Sequence, residues 1–432
     1  MKNSPSDLSE RLRTLPAAAP LLRVLGGDPR VFVVGGAVRD VLLGDAPLDL
    51  DLVVEGDAGE VAARLAEGLA GTVQLHDRFG TATVVADGRS YDLARARTER
   101  YARPGALPDV QPGTLEQDLR RRDFSVNAIA VAFDGRVAAV EHAFEDLAQR
   151  QLRVLHAESF REDPTRLLRL VRYATRLGFG VEPATSRLAD EAIADGALRT
   201  VTSTRIGNEL RLLLREPEAA AALAWIAGWG GGDALVPRLS FDPELAARAR
   251  ALLAPDGRPD LLLLAVATLR VGAPLAAWLG DLGFSARARD TVVAAAHGAA
   301  RAGERLAAAG TGARRPDAGD GAAARAGAGV ARSGGDERPS AIVDALRGAS
   351  PELAALAGAL GGETAAVAAA RWRDELRGVR LAIDGDDLRA AGVPQGEAVG
   401  RGLAAALRAK LDGEADGRDA ELSVAVAAAN VG

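Results

Sequence analysis

The sequence predicts a mixed α+β head over about residues 31–157, followed by helices alone over the remaining length. Three observations carry that reading. Short apolar runs alternate with helix-period segments from Val31 to about Val140. From about Glu158 onward apolar residues recur almost only at helical spacing. A glycine pair, Gly35-Gly36, follows the first apolar run, and an acidic pair, Asp49 and Asp51, lies in the second. That is chemistry set at strand ends.

The elements follow in order. Residues 1–30 read as a short N-terminal helix closed by the turn Gly27-Asp28-Pro29. Val31–Val34 reads as a buried strand, and the glycine pair after it permits a sharp turn and a close approach to a ligand. Residues 48–54 read as a second strand, where positions i and i+2 share a face, so Asp49 and Asp51 sit side by side. Residues 57–69 form a helix candidate through Val61, Leu65 and Leu69. Residues 81–85, 90–94 and 128–133 are further strand candidates. Two prolines and a glycine mark 97–108 as a loop. Leu167, Leu168, Val171 and Leu177 fit one helix face, and Ile206, Leu210 and Leu213 another. Thr202-Ser203-Thr204 supplies N-cap chemistry to the second of these helices. Residues 310–338 are rich in Gly, Ala and Asp and cannot bury enough apolar surface to offset their ordering entropy. The expected organisation is therefore an N-terminal helix (1–30), a head (31–157), a helical neck (158–217), a helical body (218–309), a flexible insertion (310–338) and a helical tail (339–432).

Composition narrows the function classes. The 432 residues contain no cysteine, which excludes disulfides, thiolate catalysis and zinc–thiolate sites. The N-terminal stretch lacks a signal-peptide core, and no stretch of about 18 residues is apolar enough to cross a membrane. The expected compartment is the cytoplasm. A net charge of −6 argues against coating nucleic acid by bulk charge, though not against a local basic groove. Lys2 and Lys410 are the only lysines. Arginine is abundant throughout, so only placed arginines carry weight.

Asp49 and Asp51 repel unless a cation lies between them, and oxygen-only ligands favour Mg²⁺. Arg39 offers a planar fork to a phosphate. Glycine pair, arginine and Asp-x-Asp together describe a site where Mg²⁺ holds a nucleoside triphosphate for in-line attack. Asp92, on the strand at 90–94, adds a third carboxylate able to accept a proton from the attacking hydroxyl or to bind metal. His76-Asp77 is formally an HD pair, but His142, His156 and His297 lack the neighbours of a phosphohydrolase site, so it reads as structural.

The string GGAVRDVLLGDAPLDLDLVV at 35–54 resembles the head domain of the tRNA nucleotidyltransferase and bacterial poly(A) polymerase family. The resemblance implies a polymerase-β-like nucleotidyltransferase fold. It extends to about residue 215. The stretch from His76 to Thr81 is similar to the family's H-x-R-F-G-T entry to the third-carboxylate strand, and 97–108 to its flexible loop. Arg121-Arg122-Asp123-Phe124-Ser125-Val126-Asn127-Ala128 resembles the R-R-D-F-T-x-N-A motif, with Ser125 for threonine. It implies an arginine clamp on phosphate and an Asp123 that accepts from ribose hydroxyls. Glu162-Asp163-Pro164-Thr165-Arg166 resembles E-D-x-x-R, implying that Asp163 and Arg166 act as a protein template for the base. A carboxylate accepts from cytosine N4 or adenine N6 and repels the carbonyls of uracil and guanine. Arg169 belongs to the same expected nucleotide-binding set. Arg205 and Glu209 resemble a final R-x-x-x-E motif; at i,i+4 they could simply pair, and a mainly structural role is expected. Ile383, Gly385, Asp387, Leu388, Gly396 and Gly400 are similar to the family's tail pattern.

The function these features imply is template-independent addition of CCA to tRNA 3′ ends from CTP and ATP, with Mg²⁺ on Asp49 and Asp51 and the acceptor arm on the helical half. An A-adding enzyme remains an alternative. A poly(A) polymerase is also an alternative, disfavoured because Gly71-Thr72-Val73 stands where the resemblance places that group's basic Gly-Arg-Arg segment. From other classes, an inactive RNA-binding protein is opposed by the intact acids and arginines, and an antibiotic-modifying nucleotidyltransferase by the long helical half.

Overall fold

The computed structural model describes residues 5–47, 49–76, 80–311 and 338–430. Nearly all of the insertion expected at 310–338 lies outside the described residues, as does Asp77 of the His76-Asp77 pair. Two compact units are present. One comprises the residues up to Glu218 with Trp229–Leu235, the other Ala219–Gly228 with Val236 onward. No helix among the described residues is long and apolar enough to cross a membrane.

The first unit begins with two helices, α1 (Pro5–Arg13) and α2 (Ala18–Leu25), rather than one. Pro16 separates them, since it lacks an N–H and disfavours helix at the preceding residue. The core is a seven-stranded mixed sheet. Its strands are β1 (Val31–Val34), β2 (Leu52–Val54), β3 (Thr72–His76), β4 (Thr81–Ala86), β5 (Arg89–Arg95), β8 (Ile129–Ala132) and β9 (Val137–Ala139). The order is β3-β4-β5-β2-β1-β8-β9, antiparallel except for the β2–β5 pair. All four side chains of β1 are buried, as suits a central strand covered on both faces. One face packs Phe32, Val34, Val53, Ala130 and Ala132 against Leu115 and Leu119. Those two leucines lie on α5 (Leu115–Arg120), which follows α3 (Gly36–Leu43) and α4 (Ala58–Leu69) in the chain. Asp57 caps α4 by accepting from the Gly59 and Glu60 N–H groups.

Two local expectations change. The second strand is shorter than the apolar run implies, and Asp49 and Asp51 precede it. Beyond the bond from the Val34 N–H to the Asp51 carbonyl (3.0 Å), β1 gives way to the turn at Gly35 and offers no further partner. The stretch 97–108 is a loop only in part, because β6 (Arg97–Arg100) pairs with β7 (Asp109–Pro112) in a ribbon. Its polar residues carry no apolar alternation, so the period-two signal is missing.

Helices α6 (Ala143–Ala148), α7 (Ser159–Glu162), α8 (Thr165–Leu177), α9 (Pro183–Ala194) and α10 (Ser203–Leu214) complete most of the unit. Thr202 is the N-cap residue of α10, yet its side chain makes no capping bond.

The second unit is helical, from α11 (Ala219–Gly228) to α22 (Arg418–Ala429), with α12 (Gly231–Leu235) assigned to the first. The long α16 (Ala286–Gly310) packs closely on α18 (Pro351–Leu360). A Cβ at Gly303 would fall 2.6 Å from the Ala357 carbonyl, so only glycine fits that crossing. Ile383, Leu388, Val393, Ala406, Ala425 and Ala429 form a separate apolar cluster. Of the tail motif, Ile383 and Leu388 are thus core residues, and Asp387 closes a capping box with Asp384.

Candidate active site

Gly35 turns the chain from β1 into α3 at φ 72°, ψ −131°, a conformation an L side chain resists. A Cβ there would also stand 2.9 Å from Arg122 Nη1. Gly35→Ala is therefore expected to cost about 1–3 kcal/mol of stability. Gly36→Ala, which meets nothing nearer than Arg39 Nη2 at 3.4 Å, should stay within about 0.5 kcal/mol. Thermal unfolding of the two variants checks the contrast.

Around this turn the structure brings Gly35, Gly36, Asp51, Arg121, Arg122, Asp123, Asp163, Arg166 and Arg169 to the wall of one cavity of about 320 Å³. Asp51 and Arg122 also line a neighbouring cavity of about 340 Å³ with Asp92. Asp49 is exposed and lines neither, but its charge acts on Asp51. Partial desolvation pushes the Asp51 carboxyl up from its ordinary value. Repulsion from Asp92, and more weakly from Asp49, adds to this, and Arg122 opposes it. Asp92 accepts from Thr83 Oγ1 at 2.7 Å across the β4–β5 pair.

The arginine pair is braced from behind by Asp118. Arg121 donates from Nε and Nη2 to Asp118 Oδ1 at 3.0 and 2.7 Å. Arg122 donates likewise to Oδ2 at 3.3 and 2.9 Å. Arg121 Nη1 also reaches Glu99 Oε1 at 2.8 Å. Burial alone would raise the fully buried Asp118 carboxyl, but the two guanidinium groups prevail and hold it below its ordinary value.

Asp123 and Arg39 are both held by protein partners. Asp123, expected to receive ribose hydroxyls, is buried with both oxygens occupied. Oδ1 accepts from the Phe124 N–H at 2.8 Å and Asn127 Nδ2 at 3.0 Å, and Oδ2 from Arg169 Nε and Nη2 at 2.9 and 2.6 Å. Burial works to raise its carboxyl, yet Arg169 and these donors hold it at about 2. Arg39, expected to fork a phosphate, is 1% exposed. It donates to Asp40 Oδ1 at 2.8 and 2.7 Å and to Asn127 Oδ1, and lies over the Tyr173 ring. Neither cavity has Arg39 in its wall.

Asp163 and Arg166 share the cavity wall without pairing to each other. Arg166 donates to Ser159 Oγ and the Arg121 carbonyl, both at 2.6 Å. Asp163 pairs with Arg205 at 2.7 Å. Arg205 and Glu209, which their spacing would let pair, take other partners. Glu209 instead takes Arg169 Nη1 at 3.1 Å and Arg172 Nη2 at 3.5 Å, because α10 faces α8 with both side chains.

Residues 31–153 match the poly A polymerase head domain. The chain is 35% identical to the A-adding tRNA nucleotidyltransferase of Geobacter sulfurreducens, over 94% of this chain and 46% of that protein. It is 44% identical to the CC-adding tRNA nucleotidyltransferase of Deinococcus radiodurans, over 50% of this chain and 58% of that one. The fold matches a CCA-adding enzyme in an apo form with a TM-score of 0.78 at 26% identity, over 97% of this chain and 98% of the other. The head of the chain is thus similar to poly A polymerase head domains, and its longer similarities are to tRNA nucleotidyltransferases. A second structural match is the Thermotoga maritima CCA-adding enzyme complexed with tRNA, with a TM-score of 0.76 at 25% identity over 99% of each chain. The chain spans about half the length of the curated relatives it matches.

Sequence reasoning missed several residues of this site. Asp118 is the principal one, and a signal existed, since it lies three and four residues before the two arginines at helix spacing. Tyr173 carried the same signal, four residues after Arg169 on α8, whereas Glu99 and Ser159 had none, because their partners Arg121 and Arg166 stand at no i,i+3 or i,i+4 spacing from them.

Proposed function

We propose that this chain transfers nucleotides to the 3′ end of tRNA, building CCA from CTP and ATP with release of pyrophosphate. The observation that carries the reading is the meeting of Asp51, Asp92 and Arg122 on one cavity wall with Asp163 and Arg166 on the neighbouring one. One group suits the reacting phosphate and hydroxyl, the other a base edge.

Mg²⁺ fits the donor set. Among the described residues no cluster of three acids or histidines forms a ready metal cage. Mg²⁺ sites, however, are commonly built from one or two carboxylates completed by substrate phosphates. The mutual repulsion of Asp51, Asp92 and Asp49 is the field a cation relieves. Asp49 and Asp51 would hold it, and it would supply charge neutralisation at the α-phosphate and leaving pyrophosphate. Of the protein's own groups, Arg122, held flat by Asp118, directs a guanidinium nitrogen toward the Gly35 turn where a triphosphate approaches. Asp92 stands ready to accept the proton of the 3′-hydroxyl. Asp163 accepts from the exocyclic amine of cytosine or adenine, and Arg166 donates to the ring edge.

A second reading, addition of the terminal A alone, draws support from the similarity to the Geobacter A-adding enzyme across 94% of this chain. Purified protein is to be incubated with tRNA ending before CCA and with tRNA ending in CC, each with CTP or ATP alone. CCA addition predicts incorporation of CTP on the first substrate and ATP on the second. ATP incorporation on the second with no CTP incorporation on the first would select the A-adding reading. No incorporation anywhere would overturn both.

A further inference from the structure

We propose that Arg205 is a positioning residue for base selection, holding Asp163 so that a single carboxylate oxygen meets the incoming base. The inference rests on the reading of Asp163 as the acceptor for the base's exocyclic amine. It starts from how unequally the two oxygens of that carboxylate are used. Oδ1 receives Arg205 Nη2 at 2.7 Å, the Thr165 N–H at 3.1 Å and Thr165 Oγ1 at 2.6 Å. Among the described residues these donors all converge on Oδ1, which leaves Oδ2 for a ligand. Asp163 itself sits between α7 and α8 at φ −130°, ψ 88°, outside either helix, so no helical ladder fixes its direction. The side chain is oriented by its partners or not at all.

Arg205 comes from α10, and its Nη1 also donates to the Gly105 carbonyl at 3.3 Å. It is thus anchored on two sides before it grips Asp163. One helical turn on, Glu209 holds Arg169. The same edge of α10 therefore braces two residues of the cavity wall. This explains why Arg205 and Glu209 do not pair with each other despite their spacing.

The physical consequence is selectivity. A carboxylate pinned through Oδ1 cannot swing its charge away, so a carbonyl presented at Oδ2 is repelled and an amine is bound. Freed from Arg205, the same carboxylate can rotate and admit either. A purely structural brace between α7 and α10 would instead lower stability and slow every nucleotide alike.

The test measures kcat/KM for CTP and UTP separately, on tRNA lacking CCA, with the full chain carrying Arg205→Gln, Arg205→Lys, Thr165→Val or Asp163→Ala. Arg205→Gln is expected to lower the CTP-over-UTP ratio about tenfold, a loss of about 1.4 kcal/mol in discrimination. Arg205→Lys, which keeps the charge near Oδ1, should retain most of the ratio. Thr165→Val removes a second Oδ1 donor and should also reduce the ratio, so it decides the matter if Arg205→Gln does not fold. A ratio unchanged in Arg205→Gln, or in Thr165→Val where that variant decides, overturns the inference if Asp163→Ala does lower it. The base-reading role of Asp163 then stands. A ratio unchanged in Asp163→Ala overturns that reading, and the inference falls with it.

Discussion

Asp51→Ala is expected to lower nucleotide addition about a thousandfold or more, roughly 4 kcal/mol of barrier, in a protein that still folds. Both halves of that expectation follow from the electrostatics. A carboxyl raised above its ordinary value is one whose charge the fold disfavours. Asp51 is exposed, however, so solvent screens most of that cost and the alanine variant changes stability little. The thermal midpoint should hold or rise slightly while turnover collapses. Among the described residues the Asp51 carboxylate accepts no hydrogen bond that the fold would miss. Steady-state addition to tRNA, paired with a melting curve, makes the check. Turnover within tenfold of the parent in a folded variant would remove Asp51 from the chemistry.

Asp123→Ala is expected to do the opposite, damaging the fold first. The buried carboxylate holds Arg169 through two bonds and satisfies two further donors, so its removal leaves Arg169 with Glu209 as its remaining carboxylate partner and takes this acceptor from the Phe124 N–H and Asn127 Nδ2. Breaking such a pair costs about 3 kcal/mol or more, roughly 6–12 °C in melting temperature for a unit of this size. The pH dependence has a definite sign. A carboxyl held at about 2 against an ordinary 3.8 stabilises the native state by about 2 kcal/mol above pH 4, and this is lost as pH falls toward 2. The parent should therefore lose stability over that window, and the alanine variant should lack this component. Discrimination between ribo- and deoxyribonucleotides should survive in whatever fraction folds. Its loss without a stability change would return Asp123 to the ribose contact that its motif implies.

The contrast between these two aspartates shows what a sequence can and cannot disclose. The alternation of apolar runs made β1, β4, β5 and β8 legible, since each buries side chains with period two or continuously. Strand β3 escaped because every residue in it is exposed, so no burial pattern was imposed on its composition. Within the site, motif residues were found together at the cavity wall, but the direction of each side chain was not legible. Whether Arg39 meets a phosphate or Asp40 depends on which way a guanidinium turns at the start of α3. Whether Glu209 meets Arg205 or Arg169 depends on the packing of α10 against α8. Such choices are made by tertiary contacts, and local spacing constrains them only to the right neighbourhood.

The placement of β1 between β2 and β8 has a bearing on how the chain is made. Strand β2 is synthesised soon after β1, but β8 follows about a hundred residues later, roughly 5–20 s at ordinary ribosomal speed. Through that interval Val31–Val34 has one hydrogen-bonding edge satisfied by β2 and the other open. A short, wholly apolar strand with a bare edge is a template for pairing with another nascent chain. The cavity shares this delay, because Asn127, which grips both Arg39 and Asp123, lies just before β8. Neither the closed sheet nor the Asn127 bonds to Arg39 and Asp123 can form before residues 127–132 have been made. Conditions that slow translation between residues 54 and 129 lengthen the exposure of the head to misassembly before any catalytic geometry exists.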